Sequence, residues 1–190
     1  RDLHSFPTRR SSDLNAGHSR RAAPVRDKIW FKLMSPTVRA GSGTPERTEL
    51  IARAARIRAT LEKNAEETDR LRHLPDANFR ALQETGLCRL MMPQRLGGYE
   101  TDIRTYIEVI AELGRGCGST AWTASLINVC AWLASLFPER AQREVWDSNP
   151  EAWIAGSLAP KGEARPADGG WIVSGRWPWA SGCLHAQWAA

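Results

Sequence analysis

Tryptophan, serine, cysteine and histidine side chains are the groups through which this 190-residue chain could do chemistry. Strand alternation from Arg176 onward places Trp177, Trp179 and Ser181 on one face, so that two indole rings and a hydroxyl share a surface. Such a face either fills the interior of a β domain or walls a dry aromatic pocket with a hydroxyl set into it. Trp122 and Cys130 stand eight positions apart in an apolar helical segment and project from nearby faces, where either could line a substrate pocket. His185, the only histidine after residue 150, could donate or accept a proton, although a lone histidine there is more often solvated. Cys88, Cys117, Cys130 and Cys183 form no CxxC pair and match no histidine spacing, so neither a zinc site nor a disulfide framework is expected. A reducing cytoplasm is the simplest setting for them. Gly114-Arg115-Gly116-Cys117-Gly118 lacks the third glycine of a phosphate-cradling loop and follows a helix rather than a strand, which makes it a turn.

The elements that must position these groups are legible from periodicity. Hydrophobic residues at 42% and charged residues at 25% are those of a globular protein. The net charge of +5 resides in residues 1–47, which carry 10 Lys/Arg against 4 Asp/Glu, while 48–190 carry 16 against 17. The nearly neutral remainder argues against nucleic acid as a partner. The longest apolar stretch, Ala121 to Phe137, is broken by Thr123, Ser125, Asn128 and Ser135 and reads as a buried helix rather than a membrane span. Residues 1–46 have no periodicity and are expected to be a disordered or artefactual leader, since residues 1–14 look like a translated sequencing adapter. One amphipathic helix is expected over about 46–70, with Leu50, Ala54, Ile57, Leu61 and Ala65 on its apolar face. A short second helix runs from Pro75 to a left-handed cap at Gly86; a third is capped by Asp102 and stops at Gly114. A fourth, capped by Ser119 or Thr120, is apolar around most of its circumference and belongs at the centre; a fifth runs from Pro138 to about Trp146. From Pro150 the pattern becomes strands joined by tight turns at Asp168-Gly169 and Ser174-Gly175, with Pro178 marking an edge or bulge. The expected class is α+β: an N-terminal helical bundle over 47–148, then an incomplete antiparallel β domain over 149–190 with too few strands to close a sandwich or barrel. The chain therefore reads as a truncated, N-terminal fragment.

Residues 73–102, HLPDANFRALQETGLCRLMMPQRLGGYETD, resemble the N-terminal signature of the acyl-CoA dehydrogenase superfamily, in which a Pro-led helix and a Gly-Leu precede a P…GG…D loop. The segment Val173 to Gly182 is similar to that superfamily's flavin-contacting strand, and the resemblance extends over about 47–190. Ser157-Leu158-Ala159-Pro160-Lys161-Gly162-Glu163 keeps only the proline of the Thr-Glu-Pro and Gly-Ser-Asp motifs usual in acyl-CoA dehydrogenases, which argues against a fatty-acyl-CoA substrate. Gly116 to Trp122, Leu136 to Glu139 and Gly175 to Gly182 look instead like the flavin-dependent two-component monooxygenases of the same fold, which hydroxylate phenols or polycyclic aromatics. The resemblance implies an oxidoreductase that takes reduced flavin (FADH2 or FMNH2) from a separate flavin reductase and uses O2 on a small aromatic substrate. It also implies a homotetramer, built largely through an all-helical third domain outside these residues. It puts the catalytic Ser181 hydroxyl near flavin N5, Trp179 beside the ring, and Ser157 and Leu158 at the pyrimidine side. Trp122 and Cys130 become substrate-binding, with Cys130 standing where several members carry a histidine that contacts the phenol. Two rivals are an acyl-CoA dehydrogenase, separated by whether an acyl-CoA reduces the oxidised flavin, and a non-catalytic helical interaction module, separated by whether flavin binds at all.

Overall fold

The computed structural model describes residues 44–159 and 161–190, so the expected leader lies outside the described residues except for Thr44, Pro45 and Glu46. Helix α1 (Arg47–Lys63) buries Leu50, Ala54 and Leu61. The single helix expected to about residue 70 is two: the chain breaks at Asn64 and resumes as α2 (Ala65–Leu71). A polar relay accounts for the break, because the Asn64 amide donates to Asn78 Oδ1 at 2.8 Å and the Asn78 amide donates to the Thr120 hydroxyl at 3.0 Å. Leu61 and Ala65 pack on the same core across the joint, so the apolar spacing passes over it without a mark. Helix α3 (Asp76–Thr85) follows Pro75 and ends at Gly86, whose φ of 68° is the expected left-handed cap.

A 3-10 turn at Gln94–Leu96 leads to α4 (Ile103–Gly116), where the Asp102 carboxylate accepts the Thr105 N–H at 2.9 Å as the expected N-cap. This helix does not stop at Gly114. Gly116 is its crossing point with α1: a Cβ there would lie 2.8 Å from the Arg58 carbonyl oxygen. Helix α5 (Gly118–Ala134) begins after one extended residue, Cys117, and neither Ser119 nor Thr120 caps it. The Thr120 hydroxyl is taken by Asn78. α5 is also less enclosed than its composition predicts; Ala124, Ile127, Asn128 and Ala131 are buried while Trp122 and Trp132 face outward. Helix α6 (Glu139–Trp146) starts after Pro138 as expected. Leu50, Leu61, Leu82, Leu87, Val109, Leu113, Ile127 and Trp153 form the main core among these helices. No described helix is long and apolar enough to cross a membrane.

Strand β1 (Ile154–Ala155) pairs in parallel with β4 (Trp188–Ala189), and β2 (Gly162–Ala167) pairs antiparallel with β3 (Gly170–Gly175) about the expected Asp168-Gly169 turn. Every residue of β2 and β3 is exposed. The strand expected over Arg176 to Ser181 does not form, and Ser174-Gly175 is the end of β3 rather than a second hairpin turn. Pro178 has no N–H to give a ladder, and Trp179 takes a left-handed φ of 68°, which reverses the chain. The alternation that put Trp177, Trp179 and Ser181 on one strand face therefore has no strand to act through. Past this reversal the chain makes one helical turn, in which His185 N–H and Ala186 N–H both donate to the Gly182 carbonyl at 3.0 Å.

Candidate functional site

Two clefts flank the Pro178-Trp179 reversal. The larger, about 590 Å³, lies between the first turns of α5 and the segment Ala180 to His185, with the end of α2 as its third wall. Trp122, Thr123 and Ser119 of α5 face Ser181 and Cys183 across it. Gly182 lets the segment approach so closely: its φ is 84°, and a Cβ there would lie 3.1 Å from methyl carbons of both Thr123 and Ile127. The smaller cleft, about 280 Å³, lies under the hairpin and is lined by Ser157, Leu158, Gly162, Val173 and Trp177. Trp177 packs its ring against the bare backbone of Gly162 and Gly175. Ser157 ties the two sides together, its hydroxyl donating to the Pro178 carbonyl at 3.4 Å.

Of the residues singled out from sequence, Ser157, Trp179 and Ser181 are thus gathered around one reversal, by a turn instead of by strand alternation. Trp179 is 89% exposed at its tip and Leu158 is 86% exposed on the rim of the smaller cleft. Trp122, 61% exposed, shares the larger cleft with Ser181. Cys130 does not join either cleft. Its sulfur lies 3.0 Å from where a Cβ of Gly156 would stand, so it packs on the strand side of α5 while Trp122 opens to the cleft. Burial pushes the Cys130 thiol up, and the Gly156 N–H directed at the sulfur offsets this only in part. His185 is half-buried and held: its ring stacks on Phe79 at 4.7 Å and 15°, and its Nε2 bonds the Leu74 carbonyl at 2.9 Å. This surface offers a planar guest an exposed indole and two hydroxyls, with Glu163 bordering the smaller cleft and Asp69 and Arg72 the larger. Among the described residues no three His, Cys, Asp or Glu side chains assemble a metal site.

A family model described as acyl-CoA dehydrogenase, N-terminal domain, matches residues 44–147. The chain belongs to that family. Among curated acyl-CoA dehydrogenase-like relatives it is 43% identical over 130 residues to a flavin-dependent monooxygenase, oxygenase subunit HsaA, of Rhodococcus jostii, covering 68% of this chain and 34% of that protein. It is 38% identical over 146 residues to an FADH(2)-dependent resorcinol hydroxylase, oxygenase component, of a Rhizobium species, covering 77% of this chain and 36% of that protein. XiaF from a Streptomyces species, solved in complex with FADH2 and glycerol, superposes with a TM-score of 0.73 at 38% identity over 75% of this chain and 36% of its own. The chain spans about a third of the length of these relatives.

Within this acyl-CoA dehydrogenase N-terminal fold, one residue central to the site's wall was visible in sequence only as an interruption of an apolar run. Asn128 on α5 is fully buried; its amide oxygen accepts Leu90 N–H at 2.7 Å and its amide nitrogen donates to the Leu87 carbonyl at 2.9 Å. That clamp fixes the helix bearing Trp122 against the loop after α3. Asp69 and Arg72, at the end of α2, line the larger cleft without any sequence signal pointing to it. Arg72 reaches its place through a left-handed φ of 59°, uncommon for a non-glycine residue.

Proposed function

We propose that the chain is the N-terminal part of the oxygenase component of a two-component flavin-dependent monooxygenase, which hydroxylates a small aromatic substrate with reduced flavin and O2. The observation that carries this reading is the larger cleft, in which an exposed indole from the helical part and the Ser181 hydroxyl beyond the reversal line one cavity. Its 590 Å³ is within the range of small-molecule sites, about 300–1,000 Å³. The gathered residues fit a flavin. Trp179 offers a flat ring, and the hydroxyls of Ser181 and Ser157 and the backbone at Leu158 offer the neutral hydrogen-bonding groups that a flavin's N5 and pyrimidine edge require. When bound, reduced flavin supplies the two electrons that activate O2; Ser181 would hold the ring at N5 and Trp122 would cover one side of the cleft. Trp122 would contact the substrate. Cys130 acts at most from behind the α5 wall, so no substrate contact is proposed for it.

Reduced FAD is the flavin we propose, because the resorcinol hydroxylase is named FADH(2)-dependent and XiaF was solved with FADH2. A flavin reductase as partner rests on the relatives' names as oxygenase subunits and components. A cytoplasmic setting is supported by four free thiols, and self-association of the whole protein by exposed Ile103, Ile107 and Leu136. The experiment is turnover by an oxygenase of full family length carrying these residues, given chemically reduced FAD, O2 and a panel of phenols. Hydroxylated product is expected. Bleaching of oxidised flavin by an acyl-CoA, without hydroxylation of any phenol, would overturn the reading in favour of a dehydrogenase.

A further inference from the structure

The helical turn that carries Ser181 and closes the larger cleft reaches the helical bundle through His185. Its Nε2 meets the Leu74 carbonyl at 2.9 Å across 111 positions of sequence, and its ring stacks on Phe79, which in turn meets Trp153 edge-on at 4.7 Å. The same carbonyl oxygen receives His73 Nδ1 at 2.8 Å, and the two imidazoles stand 6.0 Å apart. A carbonyl oxygen can only accept, so in each of these bonds the ring nitrogen is the donor. The shared acceptor has a consequence for mutation: with His185 gone, the Leu74 carbonyl still has a donor in His73, and no buried group is orphaned. The loss falls on the turn alone. Within it, Cys183 N–H donates to the Ala180 carbonyl, and His185 and Ala186 N–H donate to Gly182. These local bonds hold its shape; its place on the bundle is set at its far end by Gln187 and Trp188 N–H, which donate to the Trp153 carbonyl, and within the turn by His185 and the Gly182 contact with α5.

We propose that His185 is a positioning residue: by clasping the 180–186 turn to the Leu74 carbonyl and the Phe79 ring it fixes where the Ser181 hydroxyl stands in the cleft. The catalytic half of this statement rests on the flavin role proposed above for Ser181; the clasp itself does not. His185 also borders the larger cleft, but the role proposed here is carried by its contacts with Leu74 and Phe79. Three variants separate its two contacts: His185→Gln keeps an N–H donor at the Nε2 position without the stack, His185→Phe keeps the stack without the donor, and His185→Ala keeps neither.

Amide hydrogen exchange on the full chain tests the clasp without any flavin. In His185→Ala the amides of Cys183, residue 185 and Ala186 should exchange roughly ten- to thirtyfold faster than in the wild type, while those of α3 and α5 stay unchanged. Gln and Phe should each restore part of the protection. In a full-length oxygenase carrying the chain, His185→Ala should release more hydrogen peroxide per O2 consumed, with KM for the phenol changed less than kcat, and His185→Gln should recover coupling. Unchanged exchange at the three amides would overturn the clasp. Faster exchange with normal coupling, in a protein where Ser181→Ala leaks peroxide, would overturn positioning. If Ser181→Ala itself leaks nothing, the flavin role of Ser181 falls and the catalytic half falls with it, while exchange still decides the clasp.

Discussion

Replacing Asn128 by alanine should be among the most destabilising single changes in the chain. The side chain makes four hydrogen bonds: it accepts Leu90 N–H at 2.7 Å and Met91 N–H at 3.3 Å, and donates to the Leu87 and Ala124 carbonyls at 2.9 Å. Two of these losses are mild. The Ala124 carbonyl keeps its helical donor, the N–H of residue 128, and Met91 N–H lies at the half-buried edge where water can replace the amide. Leu90 N–H and the Leu87 carbonyl are left buried and unpaired, at about 1–3 kcal/mol each. A total of about 3–4 kcal/mol is a large part of the roughly 5–15 kcal/mol that holds a domain folded. With a urea m-value of about 2 kcal/mol/M, the midpoint should fall by roughly 1.5–2 M at unchanged slope. Ser125→Ala is the control on the same helix: its hydroxyl donates to the Trp122 carbonyl at the exposed surface, and the change should stay within about 0.5 kcal/mol. A loss below about 1 kcal/mol for Asn128→Ala would mean that the clamp is not what holds the 87–91 segment to α5.

The remaining expectations concern the site, the thiols and the caps. Ser181→Ala in a full-length oxygenase should raise peroxide release relative to hydroxylated product by roughly ten- to hundredfold, the rate equivalent of a hydrogen bond worth about 1–3 kcal/mol, with reduced-flavin affinity little changed; an unaltered product yield would leave Ser181 a turn residue only. Cys88 has its thiol pushed far up, first by burial and then by the Glu151 charge, and Cys130 is raised by burial, whereas Cys183 is exposed. Alkylation of the folded chain at pH 8, followed by peptide mass spectrometry, should therefore label Cys183 first and Cys88 only on unfolding; equal labelling would show the 87–92 segment opening in the native state. Asp102 is held below the usual carboxylate range by the Thr105 N–H and then the Thr105 hydroxyl. Its folded value lies below its unfolded one, so its contribution is present above about pH 4 and is lost as pH falls through the folded value. Asp102→Asn should flatten that part of the stability profile in acid-unfolding measurements, and an unchanged acid slope would show that the cap bears no charge dependence.

What the sequence made legible is what depends on neighbours in the chain. Gly86, Asp102, Pro138 and Asp168-Gly169 are punctuated by residues whose backbone or side-chain chemistry has few alternatives, and each does in the structure what its type implies. The failures are tertiary. Asn64 ends α1 where it bonds Asn78, which in turn bonds Thr120, and Gly116 stands inside α4 as the glycine that lets α1 pass where a side chain would be, a packing role rather than a helix-ending one. For the site, Ser157 and Ser181 stand on either side of a reversal at a left-handed tryptophan that alternation had no means to foresee. Cys130 is paired with Trp122 by helical spacing and by the resemblance. Eight residues advance about 80° beyond two turns, enough to put one side chain in the cleft and the other against Gly156.

The single extended residue between α4 and α5 bears on how this protein can change length over evolution or in the hands of an engineer. Cys117 is the whole of the joint, so a residue inserted there has no longer loop to absorb it and must shift the start of α5 relative to α4. Such a shift would strain the Asn128 clamp on Leu90 and move Trp122 relative to the cleft. Homologues and redesigned variants should therefore hold the α4–α5 joint at constant length and accept insertions where the chain is unconstrained, as at Asp168-Gly169, where nothing stands within 4 Å of a Cβ built on Gly169. A tag or reporter domain belongs at that hairpin tip, and the joint is the place to leave untouched.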